Sequence, residues 1–253
     1  MIEMLTRIAD QSEREEFYRL LQRHNDRIGT KLQLLIQNIL LRYMIGPVIS
    51  FLLTLLFKIE IRGKERLACI GDRALFAGQH YFEWDPFVYC SLLWRPSLRK
   101  PHLIPQSIAS PIWTRTPFRR TLCWLLGVMG VVKGREPHAG AIRRAACLLN
   151  GTMPATIGIF PTGPIGKTKS YSLYPGVAHL AMRCPQVPVV PISLIGIADV
   201  DLRSILTLNR PRVQIVVGEP FTAQEIGLDN EQALAAAICD RIDAEWRKSS
   251  SSN

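Results

Sequence analysis

From residue 58 onward, short apolar runs of strand length alternate with longer segments of helical spacing, and few folds accommodate that alternation. The run from Lys58 to Arg62 has period two and stops at Gly63, so it reads as a strand. The spans 74–78, 102–105, 128–133, 156–160, 187–195 and 212–217 read as further strands. The spans 87–94, 117–126, 139–149, 177–182 and 230–247 read as helices. Asp85-Pro86 is a helix-start signal, because Asp caps and Pro suits the first helical position. Asn150-Gly151 is a stop signal. Strands alternating with helices predict an α/β sheet with helices on both faces.

Ahead of that region the sequence changes character. Residues 2–23 read as a charged helix, and 32–57 are dominated by Leu, Ile, Val, Phe and Met. Gln33, Gln37, Asn38 and Arg42 interrupt the first half of the apolar stretch, and Gly46-Pro47 is expected to kink or split it. Its uncharged part, 43–57, is shorter than the ~20 residues that cross a bilayer. The expectation is a helical hairpin or kinked helix that dips into one leaflet. The competing reading is a hydrophobic helix inside a soluble core. Polar residues confined to one end, together with a formal charge of +10 suited to an anionic surface, favour the membrane. The domain organisation is therefore 1–57 as a membrane-associating helical segment, 58–248 as the α/β domain and 249–253 as a disordered tail. Residues 1–17 mix acids and bases without an apolar core, which argues against a cleaved secretory signal.

Hydrophobic residues make up 47% of the chain, enough for a sizeable core and too many for a disordered one. Its basic charge suits either nucleic acid or an anionic bilayer. Nucleic acid is not expected as a partner, because there is no zinc-finger spacing, aromatic RNA-binding signature or basic recognition helix. The six cysteines form no C-x-x-C pair and read as small apolar core residues of a reducing compartment. His102, His138 and His179 share no ligand spacing with one another or with a carboxylate, so no metal is expected. No G-x-S-x-G supports a serine-hydrolase elbow. Trp113, Arg115, Arg119 and Arg120 form a basic patch, read either as a solvated helix face or as a contact for head groups or an acidic carrier protein.

The residues that suggest chemistry begin with His80 and Asp85. His80 follows an apolar strand and Asp85 opens the next helix; sites in open α/β sheets are built at such strand ends. Across a strand-to-helix turn the two side chains can meet. A carboxylate that accepts from one imidazole nitrogen fixes the tautomer and raises the basicity of the other, which suits a base acting on a hydroxyl. The plainer reading makes Asp85 a helix cap and His80 a packed polar residue. A second stretch, 161–168, falls one residue short of a P-loop. Pro161 stands in place of the first glycine, and Pro161 and Pro164 remove N–H donors from any phosphate cradle, so nucleotide binding is the weaker expectation.

The pattern H-x-x-x-x-D from His80 to Asp85 resembles that of the glycerolipid acyltransferases, the group that includes 1-acylglycerol-3-phosphate acyltransferase. Three more blocks follow in the family's order. Gly130 to Arg135 resembles the second, glycine and apolar strand leading to arginine. Phe160-Pro161-Thr162-Gly163 resembles the third, usually F-P-E-G, and 187–192 resembles the fourth. The resemblance runs from about residue 32 to residue 220. It implies a single mixed sheet flanked by helices, and an O-acyltransferase in which His80 deprotonates an acceptor hydroxyl and Asp85 orients His80. The hydroxyl would attack an acyl thioester, acyl-CoA or acyl carrier protein, with no metal or bound cofactor. Membrane lipids would be the partners; the cytoplasmic face of a membrane is the expected place, from the lack of a signal, the free cysteines and the thioester donor. Arg135, Phe160, Pro161, Thr162, Gly163, Lys167 and Lys169 would contact acceptor or substrate.

The third block departs from the pattern. Thr162 stands for the usual Glu, and Pro164-Ile165-Gly166 for the usual T-R-S. The arginine lost at Ile165 is the one the resemblance assigns to the acceptor's phosphate; Lys167 and Lys169 are nearby point charges that could replace it. The departure implies an acceptor other than lysophosphatidate. It also leaves open a non-catalytic lipid-binding protein of the same fold, against which the intact His80 and Asp85 argue.

Overall fold

The computed structural model describes residues 30–78, 85–99, 105–109, 121, 127–130, 138–151, 154–161, 176–196, 209–228 and 230–250. The strands are β1 (Lys58–Arg62), β2 (Arg73–Gly78), β3 (Gln106–Ala109), β4 (Met129–Gly130), β5 (Ala155–Ile159), β6 (Val189–Ile195) and β7 (Arg212–Val217). Helices α1 (Thr30–Leu40) and α2 (Gly46–Leu56) are joined by a π-helical turn, Leu41–Ile45. The others are α3 (Asp85–Ser97), α4 (His138–Asn150), α5 (Gly176–Arg183), α6 (Ala223–Ile226) and α7 (Glu231–Ser250). A strand forms at Gln106–Ala109, and the strand expected at 102–105 falls outside the described residues except for Pro105, which lies just ahead of it. The helix expected at 117–126 and the tail at 249–253 fall largely outside the described residues, as does the basic patch at 113–120.

One seven-stranded sheet runs in the order β1-β7-β6-β2-β5-β3-β4. It is mixed, as expected, because β6 and β7 pair antiparallel while every other neighbouring pair is parallel. Alternation along the strands divides the core between two faces. Leu75, Ala77, Ile157, Ile159 and Val189 point to one, where α4, α5 and α7 cover them. In α7 the covering residues Leu234, Ile238 and Ile242 recur at helical spacing. Phe76, Val190, Ile192, Val213 and Ile215 point to the other, under Leu53 of α2 and Val88, Leu92 and Leu93 of α3.

Local chemistry sets the joints. Gly63 ends β1 with φ 72°, and a Cβ there would lie 2.2 Å from the Val217 carbonyl oxygen, so only glycine fits. Pro191 sits inside β6 without disturbing it. Its carbonyl accepts from Gly218 N, so its missing N–H falls on the β7 side, where that ladder ends, and β2 still pairs on the other side. Thr222 and Glu225 form a capping box ahead of α6, a T-x-x-E signal readable in the sequence but not anticipated above. His179 of α5 holds Glu231 at the start of α7, at 2.6 Å.

The apolar N-terminal segment does not split at Gly46-Pro47. The helix continues through the π turn, and Pro47 explains the local change of pattern. In an i→i+5 ladder Pro47 would donate to the Arg42 carbonyl, but it has no N–H. Trp94 Nε1 donates to that carbonyl instead, at 2.8 Å. The Arg42 guanidinium in turn donates to the Leu98 carbonyl at the end of α3, at 2.7 Å.

The cysteines need a correction. Cys184 is buried, but Cys69 and Cys147 are exposed, so the expectation of core residues fails for those two. The thiol of Cys239 is pushed up to about 12, first by burial and then by Asp243 and Asp240.

Candidate active site

β2 and β5 lie side by side near the middle of the sheet. From β2 the chain crosses on the α3 face to β3, on one side; from β5 it crosses on the α5 face to β6, on the other. Where successive connections diverge in this way, a crevice opens beyond the carboxyl ends of the two strands, and open α/β sheets bind ligands there. Both candidate motifs leave the sheet at that crevice. His80 lies two residues beyond Gly78, the last residue of β2, and Phe160 directly follows Ile159, the last of β5. β4 also runs parallel to β3 and ends at Gly130, so the segment toward Arg135 departs from the same end.

Of the sequence-derived site residues, Asp85, Phe160 and Pro161 lie among those described. His80, Arg135, Thr162, Gly163, Lys167 and Lys169 lie outside them. Asp85 has no exposed surface. It occupies the first residue of α3, where the helix dipole favours a negative charge. Carboxylates are rarely fully buried without a partner, and a cap at a solvated helix end has no need of such burial. Complete burial at a strand-end crevice is the setting of an orienting carboxylate.

Tyr89, one turn after Asp85, ties the two motif segments together. Its ring packs on Phe160 with centroids 5.4 Å apart. Its hydroxyl lies over Gly78, where an added Cβ would come within 2.3 Å of the oxygen. Gly78 thus lets α3 approach the end of β2, and Tyr89 fixes the start of the F-P-T-G segment against the helix that Asp85 opens. Neither residue was singled out from the sequence. The available signals were a glycine closing a buried strand and an aromatic four residues after Asp85. Beside Tyr89 a narrow apolar pocket opens between α3 and the sheet, with free volume ≈ 20 Å³ and walls that include Leu93, Pro105, Gly158 and Ile192.

Among the described residues no group of three or more His, Cys, Asp or Glu side chains could hold a metal ion. The described part of the site is thus a buried carboxylate at the strand-end crevice, with apolar walls beside it.

Comparison with known proteins gives the family and the fold. A profile of the Acyltransferase family matches residues 58–195, from β1 to the end of β6. The chain belongs to that family. The acyltransferase also has the fold of a solved relative, the 1-acyl-sn-glycerophosphate (LPA) acyltransferase PlsC from Thermotoga maritima. The two are 17% identical, with a TM-score of 0.58, and the match covers 82% of this chain and 81% of PlsC. A search of curated proteins finds no match.

Proposed function

We propose that this acyltransferase moves a fatty acyl group from acyl-CoA or acyl carrier protein to the hydroxyl of a lysophospholipid or other lipid acceptor at a membrane surface. His80 acts as general base and Asp85 as its partner. The complete burial of Asp85 at the β2–β5 crevice carries this reading.

In the proposed reaction His80 takes the proton of the acceptor hydroxyl as its oxygen attacks the thioester carbonyl. Asp85 accepts from the imidazole, fixes its tautomer and stabilises the imidazolium. The tetrahedral intermediate collapses with expulsion of the thiolate, which receives the proton from His80. The ester bond forms as the thioester breaks, with no covalent enzyme intermediate and no metal or bound cofactor. Thr162 and Ile165, where the family pattern has Glu and Arg, point to an acceptor other than lysophosphatidate, with Arg135, Lys167 and Lys169 as its cationic contacts.

The N-terminal helix supports the membrane setting through an inverted amphipathic pattern. Two of its polar residues face the protein: Gln37 is buried against Gln106 of β3, and Arg42 is bonded to the end of α3. Its apolar residues face outward, with Tyr43, Met44 and Phe51 each more than 60% exposed. That is the reverse of a helix in water and the arrangement expected at lipid. The apolar run Leu35–Leu56 has the length to cross a bilayer. It is nevertheless attached to the α/β domain at Gln37, Arg42, Leu53 and Phe57, so it lies along the surface of one leaflet. The cytoplasmic leaflet is where thioester donors occur.

The test is transfer from labelled palmitoyl-CoA and palmitoyl carrier protein to a panel of lysophospholipids and lipid alcohols, with wild type and His80→Ala in parallel. Product that falls about 10²-fold or more in the variant supports the reading and names the acceptor. Absence of product from folded, membrane-bound protein would turn the assignment to lipid binding without catalysis.

A further inference from the structure

The C-terminal end of α2 meets the starts of β1 and β7 in a cluster of cations. Arg210 Nη2 donates to the Thr54 carbonyl at 2.7 Å and reaches the Phe57 carbonyl at 3.5 Å. Lys58 and Arg212 are register partners in the first positions of the two strands, and both are exposed, as is Arg210. The same turns of α2 carry Phe51, Leu52 and Leu55 exposed outward. Outward apolar side chains and exposed cations therefore adjoin within two helical turns.

The ion pairs nearby do not neutralise this cluster. Glu60 is bonded to Arg62 and Arg212. Lys58 and Arg210 form no ion pair among the described residues. A helix C-terminus favours a cation, which accounts for Arg210 taken alone. It does not account for Lys58 beside it, and Arg212, though bonded to Glu60, shares that one carboxylate with Arg62 and remains exposed. Nor does it explain why Arg210 holds a positive φ of 47°, the only described non-glycine residue to do so, where Asn or Gly would be less strained.

We propose that this cluster is a docking site for anionic phospholipid head groups, with Lys58, Arg210 and Arg212 as its contacts. The proposal rests on the reading that α1 and α2 lie at a bilayer, and adds the chemistry of that bilayer. A cation attached to the turns that present apolar side chains to lipid sits at head-group depth, where anionic lipids are attracted to Lys and Arg. The position also orients the molecule. β7 is antiparallel to β6, and β6 is parallel to β2, so β1 and β7 start at the end of the sheet where β2 and β5 finish. Docking through this cluster turns the Asp85 crevice toward the head groups, and a lipid acceptor reaches it without leaving the bilayer surface.

The experiment is flotation of the full-length protein with vesicles of phosphatidylcholine alone and of phosphatidylcholine mixed with phosphatidylglycerol. Wild type is expected to partition more strongly onto the anionic vesicles. The double variant Lys58→Gln, Arg210→Gln, in which glutamine retains a donor for the helix end, is expected to lose about 30-fold on anionic vesicles and little on neutral ones. Equal wild-type binding to both vesicles, or a preference that survives in the double variant, overturns the proposal. A misfolded variant does not remove the test, because NaCl titration of the wild type must weaken binding to the anionic vesicles alone. Salt-insensitive binding also overturns it. Failure of the wild type to bind either vesicle would dispose of the membrane reading as well. Phe51→Asp tests that reading by itself, since it must weaken binding to both. Acyl transfer enters none of these readouts.

Discussion

Asp85 holds two positions at once, the first residue of a helix and the buried side of a crevice. Asp85→Asn separates them. Asparagine retains the shape and caps a helix as well as aspartate does, but it has no charge to stabilise an imidazolium and does not enforce its tautomer. The variant is expected to keep a melting temperature near that of wild type and to lose about 10²-fold or more in turnover. Full activity would reduce Asp85 to a cap. Gly78 makes a different prediction, about packing. Gly78→Ala drives a methyl group to 2.3 Å from the Tyr89 oxygen, and the ring is buried and stacked on Phe160. Destabilisation of about 1–3 kcal/mol is expected in denaturant titration. Adding Tyr89→Phe should recover part of the loss, because Cζ, at 2.8 Å, is still close after the oxygen is gone. Strict additivity of the two changes would show that the contact is not the cause.

At the scale of elements, β1 is an edge strand carrying Glu60, whose carboxyl is held down to about 2 mainly by hydrogen bonds from Arg212 and Arg62. The sign follows from a folded-state value below the ordinary 4.5. The stabilisation is complete above the ordinary value and disappears as pH falls from there toward about 2. Glu60→Gln should therefore melt below wild type at pH 7, with the gap closing between about pH 4.5 and pH 2 in paired thermal scans. A gap constant with pH would mean that the carboxylate charge plays no part in holding β1 to β7. Elements of this kind were legible in the sequence where periodicity was strong. β1 falls where its period-two run placed it and β7 where its apolar run placed it, because short apolar runs of this length mark strands. The π turn was not legible. Pro47 announces a missing donor, but whether the helix breaks or bulges depends on a tryptophan side chain, Trp94, that the fold brings to the Arg42 carbonyl. β3 was not legible either, since its register is set by pairing with β5 and not by a periodic run of its own.

In the whole molecule, the neighbourhood of the two motifs follows from topology and not from their distance in sequence. The carboxyl ends of β2 and β5, from which the two motifs depart, lie side by side because the strands are adjacent, and their onward connections lead in opposite directions. The sequence order of the blocks pointed to this site, yet it could not reveal that Tyr89 clamps one block to the other. The same arrangement makes a specific statement about acceptor choice. The first segment retains the family's histidine and aspartate, while the second has Thr162 and Ile165 in place of a carboxylate and a guanidinium. In the proposed function, chemistry and acceptor recognition belong to separate sequence blocks, and one can change without the other. Thr162→Glu with Ile165→Arg restores the usual pair. It should raise transfer to lysophosphatidate relative to the native acceptor by about tenfold or more, the scale of one charge-assisted fork to a phosphate. The dependence on His80 should be unchanged. The readout is the ratio of kcat/KM for the two acceptors, so a general loss of stability cancels. A ratio that stays fixed while activity survives would place acceptor choice elsewhere in the crevice, with Arg135 the next position to change.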